Sequence, residues 1–261
     1  MSVFSPDERG EVTLSEQCKS LTPLTELQLK SLMSFVGYGS LEAPIWFIGL
    51  EEAGGGEERL RTRSSFDAVM DIEKAHVLIG ETSNFGPTAE QQRTWWNMCE
   101  LMLILAGTPE PSPVERLSYQ TQRLGRLDGE TLLLEVMPFP CPSLSDWNYP
   151  NVLPQYRSRE ECHSDLRPQR LSFLRRLVEV HEPKVVITYG GNDKQPFRNL
   201  FTDWSIQRGA LFDVGMRGNT LIILSKHFIY RSSRKCRAMA CTIADVHPHL
   251  LKVPSLRPVI C

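Results

Sequence analysis

The chain has almost no net charge: 29 Lys and Arg against 31 Asp and Glu leave −2 over 261 residues. A balance that close to zero selects no partner class by itself. No apolar run is long enough to span a bilayer. The longest, near Leu101–Gly107, falls far short of the roughly 20 residues required. The 7 cysteines are odd in number and contain no C-x-x-C, so neither a disulfide framework nor a standard zinc spacing is present. Internal repeats and heptads are also missing. The opening MSVFSPDERGEV is polar and charged, unlike a signal peptide. These absences predict a cytoplasmic protein with reduced thiols and no membrane partner.

What is present is unevenly distributed. Residues 1–100 hold 8 Lys and Arg against 16 Asp and Glu, whereas residues 156–261 hold 18 against 9. A basic C-terminal half on a neutral chain is a polyanion footprint, or the two halves simply pair with each other. The pattern predicts a weakly ordered N-terminus over 1–21 and one domain over 22–261, with a Gly-, Arg- and Glu-rich insertion or flap at 57–80. Thr22-Pro23 reads as the N-cap and first position of a helix reaching Phe35. Residues 88–106 and 166–181 have helical periodicity, and a last helix covers about 232–245. Trp95-Trp96 read as packing residues. Residues 107–127 read as a Pro-rich polar connector. Four apolar runs, PIWFIG, TLLLEV, PKVVITY and NTLIILS, read as buried strands alternating with helices. That order predicts an α/β fold: a three-layer α/β/α sandwich around a central, mainly parallel four-stranded sheet.

In such a sheet ligands collect beyond the carboxyl ends of the strands. The polar residues just past the four runs are Glu51-Glu52, Glu135, Tyr189-Gly190-Gly191-Asn192 and Lys226-His227. Each alone is unremarkable, since a lone Glu after a strand is usually a solvated turn residue. Three carboxylates and a histidine at successive strand ends make a candidate active site. Two adjacent carboxylates repel each other unless something uses or neutralises them.

The same stretches, in the same order, resemble the motifs of the uracil-DNA glycosylase superfamily. FIGLEEAGG is similar to the strand and loop that carry that family's acidic or water-binding group. NFGPTAEQQRTWW is similar to its stacking phenylalanine and following helix, LLLEVMPFPCP to its base-reading strand and Pro-rich loop, FLRRLVEVHEPKVVITYGG to its Pro-Lys strand, and LSKHFIYRSS to its histidine loop. The resemblance covers about residues 36–245 and has departures. Glu51 stands at the usual Asp, Ala or Asn position, Glu52 replaces a proline, Glu135 replaces Asn, and Phe228 replaces the proline after the histidine. The cysteine spacing is unlike that of the iron–sulfur branch, so no cofactor or metal is expected.

The resemblance implies a monofunctional DNA glycosylase that flips a base out of double-stranded DNA and leaves an abasic site. It assigns Glu51, with Glu52 as competitor, to the cationic sugar and to water, and His227 to the base O2. Phe85 would stack on the base, and Ala53, Glu135 and Phe139 would contact it. Lys226, Arg231, Arg234, Lys235, Arg237, Arg157 and Arg159 would hold phosphates, some of them at the N-terminus of the last helix. Ionised Glu accepts hydrogen bonds only, which suits the cytosine amine and opposes the uracil O4. The small Ala53 leaves room at C5. The expected substrate is therefore a C5-substituted cytosine, hydroxymethylated or glucosylated as in some phage DNA, and the expected role antiviral defence. The alternatives are a uracil or deaminated-base repair glycosylase, a non-catalytic DNA-binding module, a hydrolase with a metal held by Glu51, Glu52, Glu135 and His227, and a nucleoside hydrolase. A monomer is expected.

Overall fold

In a computed structural model, residues 22–141, 147–190, 195–228, 232–248 and 250 are described. In chain order the elements are α1 (Glu26–Ser34), β1 (Gly37–Gly39), β2 (Ile45–Gly49), α2 (Glu57–Arg63), β3 (Val69–Met70), α3 (Ile72–Leu78), α4 (Arg93–Leu105), α5 (Pro113–Gln122), β4 (Thr131–Glu135), α6 (Arg159–His181), β5 (Val185–Tyr189), α7 (Gln195–Leu200), β6 (Ser205–Gln207), β7 (Phe212–Arg217), β8 (Thr220–Ser225) and α8 (Ser233–Val246). The strands form one sheet in the order β3-β1-β4-β2-β5-β8-β7-β6.

The four apolar runs sit side by side at its centre, with β4, β2, β5 and β8 all parallel. Each is buried on both faces, which is why they read as continuous apolar stretches. Their side chains alternate between two cores. Ile45, Phe47, Val185 and Ile187 face a layer built on α3, α4, α5 and α8. Trp46, Ile48, Leu132 and Val186 face a layer built on α1, α2, α6 and α7. Helices therefore cover both faces of an α/β fold. Fully burying one such side chain contributes about 1.5–3 kcal/mol.

The sheet is larger and more mixed than the expected four strands. β1 adds antiparallel to β4 and β3 parallel to β1, while β7 and β6 continue antiparallel beyond β8. β1, β3 and β6 are two or three residues long and carry no readable period. β7, FDVGMR, does alternate Phe212, Val214 and Met216 with Asp213, Gly215 and Arg217, a period the four-strand expectation left unused.

The helices differ too. α1 starts after Thr25, not Thr22, because Thr25 and Gln28 close a reciprocal capping box. The supposed connector contains α5, opened by the same device in Ser112-Pro113-Val114-Glu115. α6 begins at Arg159 behind the N-cap Ser158 and runs through Pro168, the residue that masked its first two turns in the sequence. Residues 57–80, expected as an insertion or flap, form α2, β3 and α3 and bury Leu60, Ile72 and Ala75. The expected weak order of 1–21 concerns residues outside those described. Among the described residues no helix is long and apolar enough to cross a membrane.

Candidate active site

β2 and β4 run in register so that Gly49 lies directly beside Glu135. Beyond the last pair the chains stay zipped: Val136 N–H donates to the Gly49 carbonyl, Met137 to Leu50 and Cys141 to Glu52, at 2.9, 2.9 and 3.0 Å. The Pro-rich loop is thus tied along the acidic turn. Gly55, at φ 116° and packed against the Pro140 carbonyl and the Tyr149 hydroxyl, lets the chain turn where a side chain would be strained and obstructed.

The adjacent carboxylates Glu51 and Glu52 are neutralised separately. Glu52 takes a two-pronged grip from Arg63 of α2, at 3.1 Å to Oε1 and 2.5 Å to Oε2. Arg63 also donates to the Tyr38 hydroxyl of β1 at 2.7 Å. Burial opposes ionisation of Glu52, but the Arg63 charge and hydrogen bonds outweigh it and hold the carboxyl below its usual range. Glu51 goes to the start of α6. Arg159 Nε donates to both its oxygens at 2.8 and 3.1 Å, and His163 Nε2 lies 3.1 Å from Oε2. Arg167 is always a donor, so its 2.7 Å contact makes His163 Nδ1 the acceptor and leaves Nε2–H for Glu51. Burial keeps this imidazole below its usual pKa and neutral, against the pull of Glu51.

Glu135 is the opposite case. Tyr189 at the end of β5 donates to its Oε1 at 2.8 Å. Its Oε2 is buried with no hydrogen-bond partner among the described residues. Burial first, then the charge of Glu52, push its pKa well above the carboxylate range, while the Tyr189 hydrogen bond works the other way. Its surroundings favour the neutral carboxylic acid over the carboxylate. Its seat exists because Gly49 has no side chain: a Cβ there would strike both carboxyl oxygens. Beneath it Arg170, 1 % exposed, donates to the carbonyls of Glu135, Val136 and Met33 and fixes the ends of β4 and α1.

Glu52, Arg63, Tyr38, Glu135, Pro138 and Pro140 border one cavity, with about 10 Å³ of space for water centres. That holds roughly one water. A nucleobase needs the site to open.

His227 follows β8 and lies edge-on to the Tyr189 ring, centroids 5.9 Å apart. It therefore reaches Glu135 through Tyr189 and does not border the cavity. Burial and the Lys235 charge lower its pKa.

The structure thus brings together Glu52 and Glu135 directly and His227 through Tyr189. Glu51 is turned away to α6. Phe85 is 6 % exposed and packs on His76 and Trp95, with Arg126 over its ring, so neither face is open for stacking. Phe139, 1 % exposed, packs in the core layer with Val136 and Met137 and does not border the cavity. Ala53 is exposed at the turn. Of the phosphate candidates, Lys226, Arg157, Arg234 and Arg237 are exposed. Arg159 is spent on Glu51, and Lys235 is 7 % exposed with its ammonium over the Phe228 ring. Arg231 lies outside the described residues. Trp95 and Trp96, both 9 % exposed, are packing residues as expected.

Sequence reasoning missed Arg63, Tyr38, His163 and Arg170. The apolar partner Leu60, three residues before Arg63, was the only local hint that this basic stretch turns inward. Among the described residues no three His, Cys, Asp or Glu side chains are grouped to hold a metal. The chain matches no protein-family model and no curated protein.

Proposed function

We propose that the protein is a DNA glycosylase that hydrolyses the N-glycosidic bond of a C5-substituted cytosine. The observation that carries the reading is the pair Glu52 and Glu135: two carboxyls on one cavity, Glu52 paired with Arg63, which favours its ionised form, and Glu135 buried with Oε2 unpartnered, which favours its neutral form. Environments that split two titratable groups in this way set up a base and an acid. Breaking the C1′–N1 bond leaves positive charge on the sugar and negative charge on the base. Glu52 faces the first and orients the attacking water. Glu135 gives its proton to the departing base, and the proton lost by the water restores it.

The protonation of Glu135 changes the argument for cytosine. A neutral carboxyl offers O–H and C=O together, and so fits N3 and the N4 amine of cytosine, but equally N3–H and O4 of uracil. Hydrogen bonding along that edge does not select between them. What favours cytosine is that it is the poorer leaving group and gains more from protonation at N3. What favours a C5 substituent is the exposed Ala53 followed by Gly54, Gly55 and Gly56. The exposed Arg157, Lys226, Arg234 and Arg237 supply phosphate contacts.

The test is abasic-site formation on duplex oligonucleotides carrying uracil, cytosine, hydroxymethylcytosine or glucosylated hydroxymethylcytosine. Product from a modified cytosine that disappears in Glu52→Gln and Glu135→Gln is expected. Product from uracil alone overturns the cytosine assignment. A second reading, a DNA-binding module without chemistry, is favoured by the arginine pairing of both Glu51 and Glu52. It requires salt-sensitive DNA binding with no abasic product from any duplex.

A further inference from the structure

The peptide on each side of His227 is held from a different place. On the N-terminal side, the Lys226 carbonyl accepts from Ser225 Oγ at 2.9 Å and from Lys235 Nζ at 3.4 Å. On the C-terminal side, the Phe228 carbonyl accepts from Asn97 Nδ2 at 2.5 Å. The same Asn97 side chain turns its Oδ1 to the Ser232 N–H at 3.4 Å, and its backbone carbonyl lies 3.5 Å from Cys236 Sγ. Asn97 is 0 % exposed in the middle of α4, where Trp95, Met98, Leu101 and Met102 are buried with it and the other buried polar residue, Glu100, pairs with Arg116. A buried carboxamide among apolar side chains is costly unless its donors and acceptor are used. Here it serves both ends of the chain from Phe228 to Ser232, that is, the segment between His227 and α8. Phe228 in turn stacks flat on Tyr189, centroids 5.5 Å apart and 10° between planes, and Tyr189 is the residue that donates to Glu135.

We propose that Asn97 is the positioning residue of His227: by tying residues 228 and 232 to the core helix α4, it fixes the imidazole against Tyr189. The catalytic meaning rests on the proposed glycosylase reading, in which His227 acts on Glu135 by holding Tyr189, but the position of the ring does not. Among the described residues, Tyr189 from β5 and Lys235 from α8 are titratable groups that face that ring.

The experiment uses the full chain with Asn97→Leu, which keeps the branched shape and adds no charge, and Cys236→Ala as a packing control in the same place. His227 is followed by NMR titration, its signal assigned with His227→Gln. In Asn97→Leu the His227 pKa rises toward the ordinary histidine value of about 6.5, and kcat on the preferred duplex falls roughly 10²-fold with little change in KM. Cys236→Ala moves neither. An unchanged His227 titration in folded Asn97→Leu, or an equal shift in Cys236→Ala, overturns the proposal. If Asn97→Leu does not fold, the wild type decides. The Ser232 amide must exchange as slowly as amides of α4, and exchange at surface-loop rates refutes the tether. A wild type inactive on every duplex sinks the glycosylase reading alone, because the titration and exchange readouts need no substrate.

Discussion

Replacing Glu135 by Gln tests the electrostatics of the site through folding alone. Folding takes up a proton at Glu135 wherever the pH lies between the unfolded carboxyl value, about 4.3, and the raised native value. In that window the native state binds more protons than the unfolded state, so stability falls as pH rises. The contribution is complete below the unfolded value and is lost on approach to the native one. Gln titrates in neither state and has no such slope. The difference between variant and wild type must therefore shift in favour of the variant by up to about 1.4 kcal/mol per pH unit between the unfolded and the raised native value. The starting point is unfavourable. Tyr189 can still donate to the amide oxygen, but the amide nitrogen takes the place of the unpartnered Oε2, and a buried unpaired donor costs about 1–3 kcal/mol. At pH 5 the variant is the weaker protein, and the deficit narrows as the pH climbs toward the native value. His76, His163 and His227, all with lowered pKa values, add stability with rising pH up to about 6.5, equally in both proteins, and cancel in the difference. The window of Glu52, whose pKa is lowered, lies below this range. Urea melts at half-unit pH steps measure the difference. Parallel stability curves for the two proteins would mean that Glu135 ionises normally, and the acid–base assignment would fail with it.

Two further outcomes follow from the same geometry. Gly49→Ala drives a methyl group into the Glu135 carboxyl and is expected to cost about 1–3 kcal/mol in urea melts, most of it recovered in a Glu135→Ala background. Arg234→Ala and Arg237→Ala leave the melting transition in place, because both side chains are exposed. Each lowers the slope of log Kd against log salt on duplex DNA by about 1 if it contacts a phosphate.

The four central strands and the acidic turn were legible in the sequence because doubly buried strands are written as unbroken apolar runs. PIWFIG and NTLIILS have no other reading. The edge strands were not legible. Gly37–Gly39 and Val69–Met70 are strands only because β4 and β1 offer open hydrogen-bonding edges beside them. The site was legible by address and not by detail. Strand-end logic placed Glu52, Glu135 and His227 at one end of the sheet. The resemblance put Glu51 first, Phe85 against a base and Arg159 on a phosphate. A sequence records that a carboxylate, a ring or a guanidinium is present, but not which neighbour reaches it first.

The amino-acid order alone determined the layered α/β plan, since periodicity and burial are local properties carried by each segment. Which of two adjacent glutamates faces the cavity, and whether Glu135 carries a proton, were decided only when α2, α6 and β5 closed around the end of the sheet. Ionisation is set by burial and by charges a few ångströms away, and those neighbours lie as far as 108 residues along the chain.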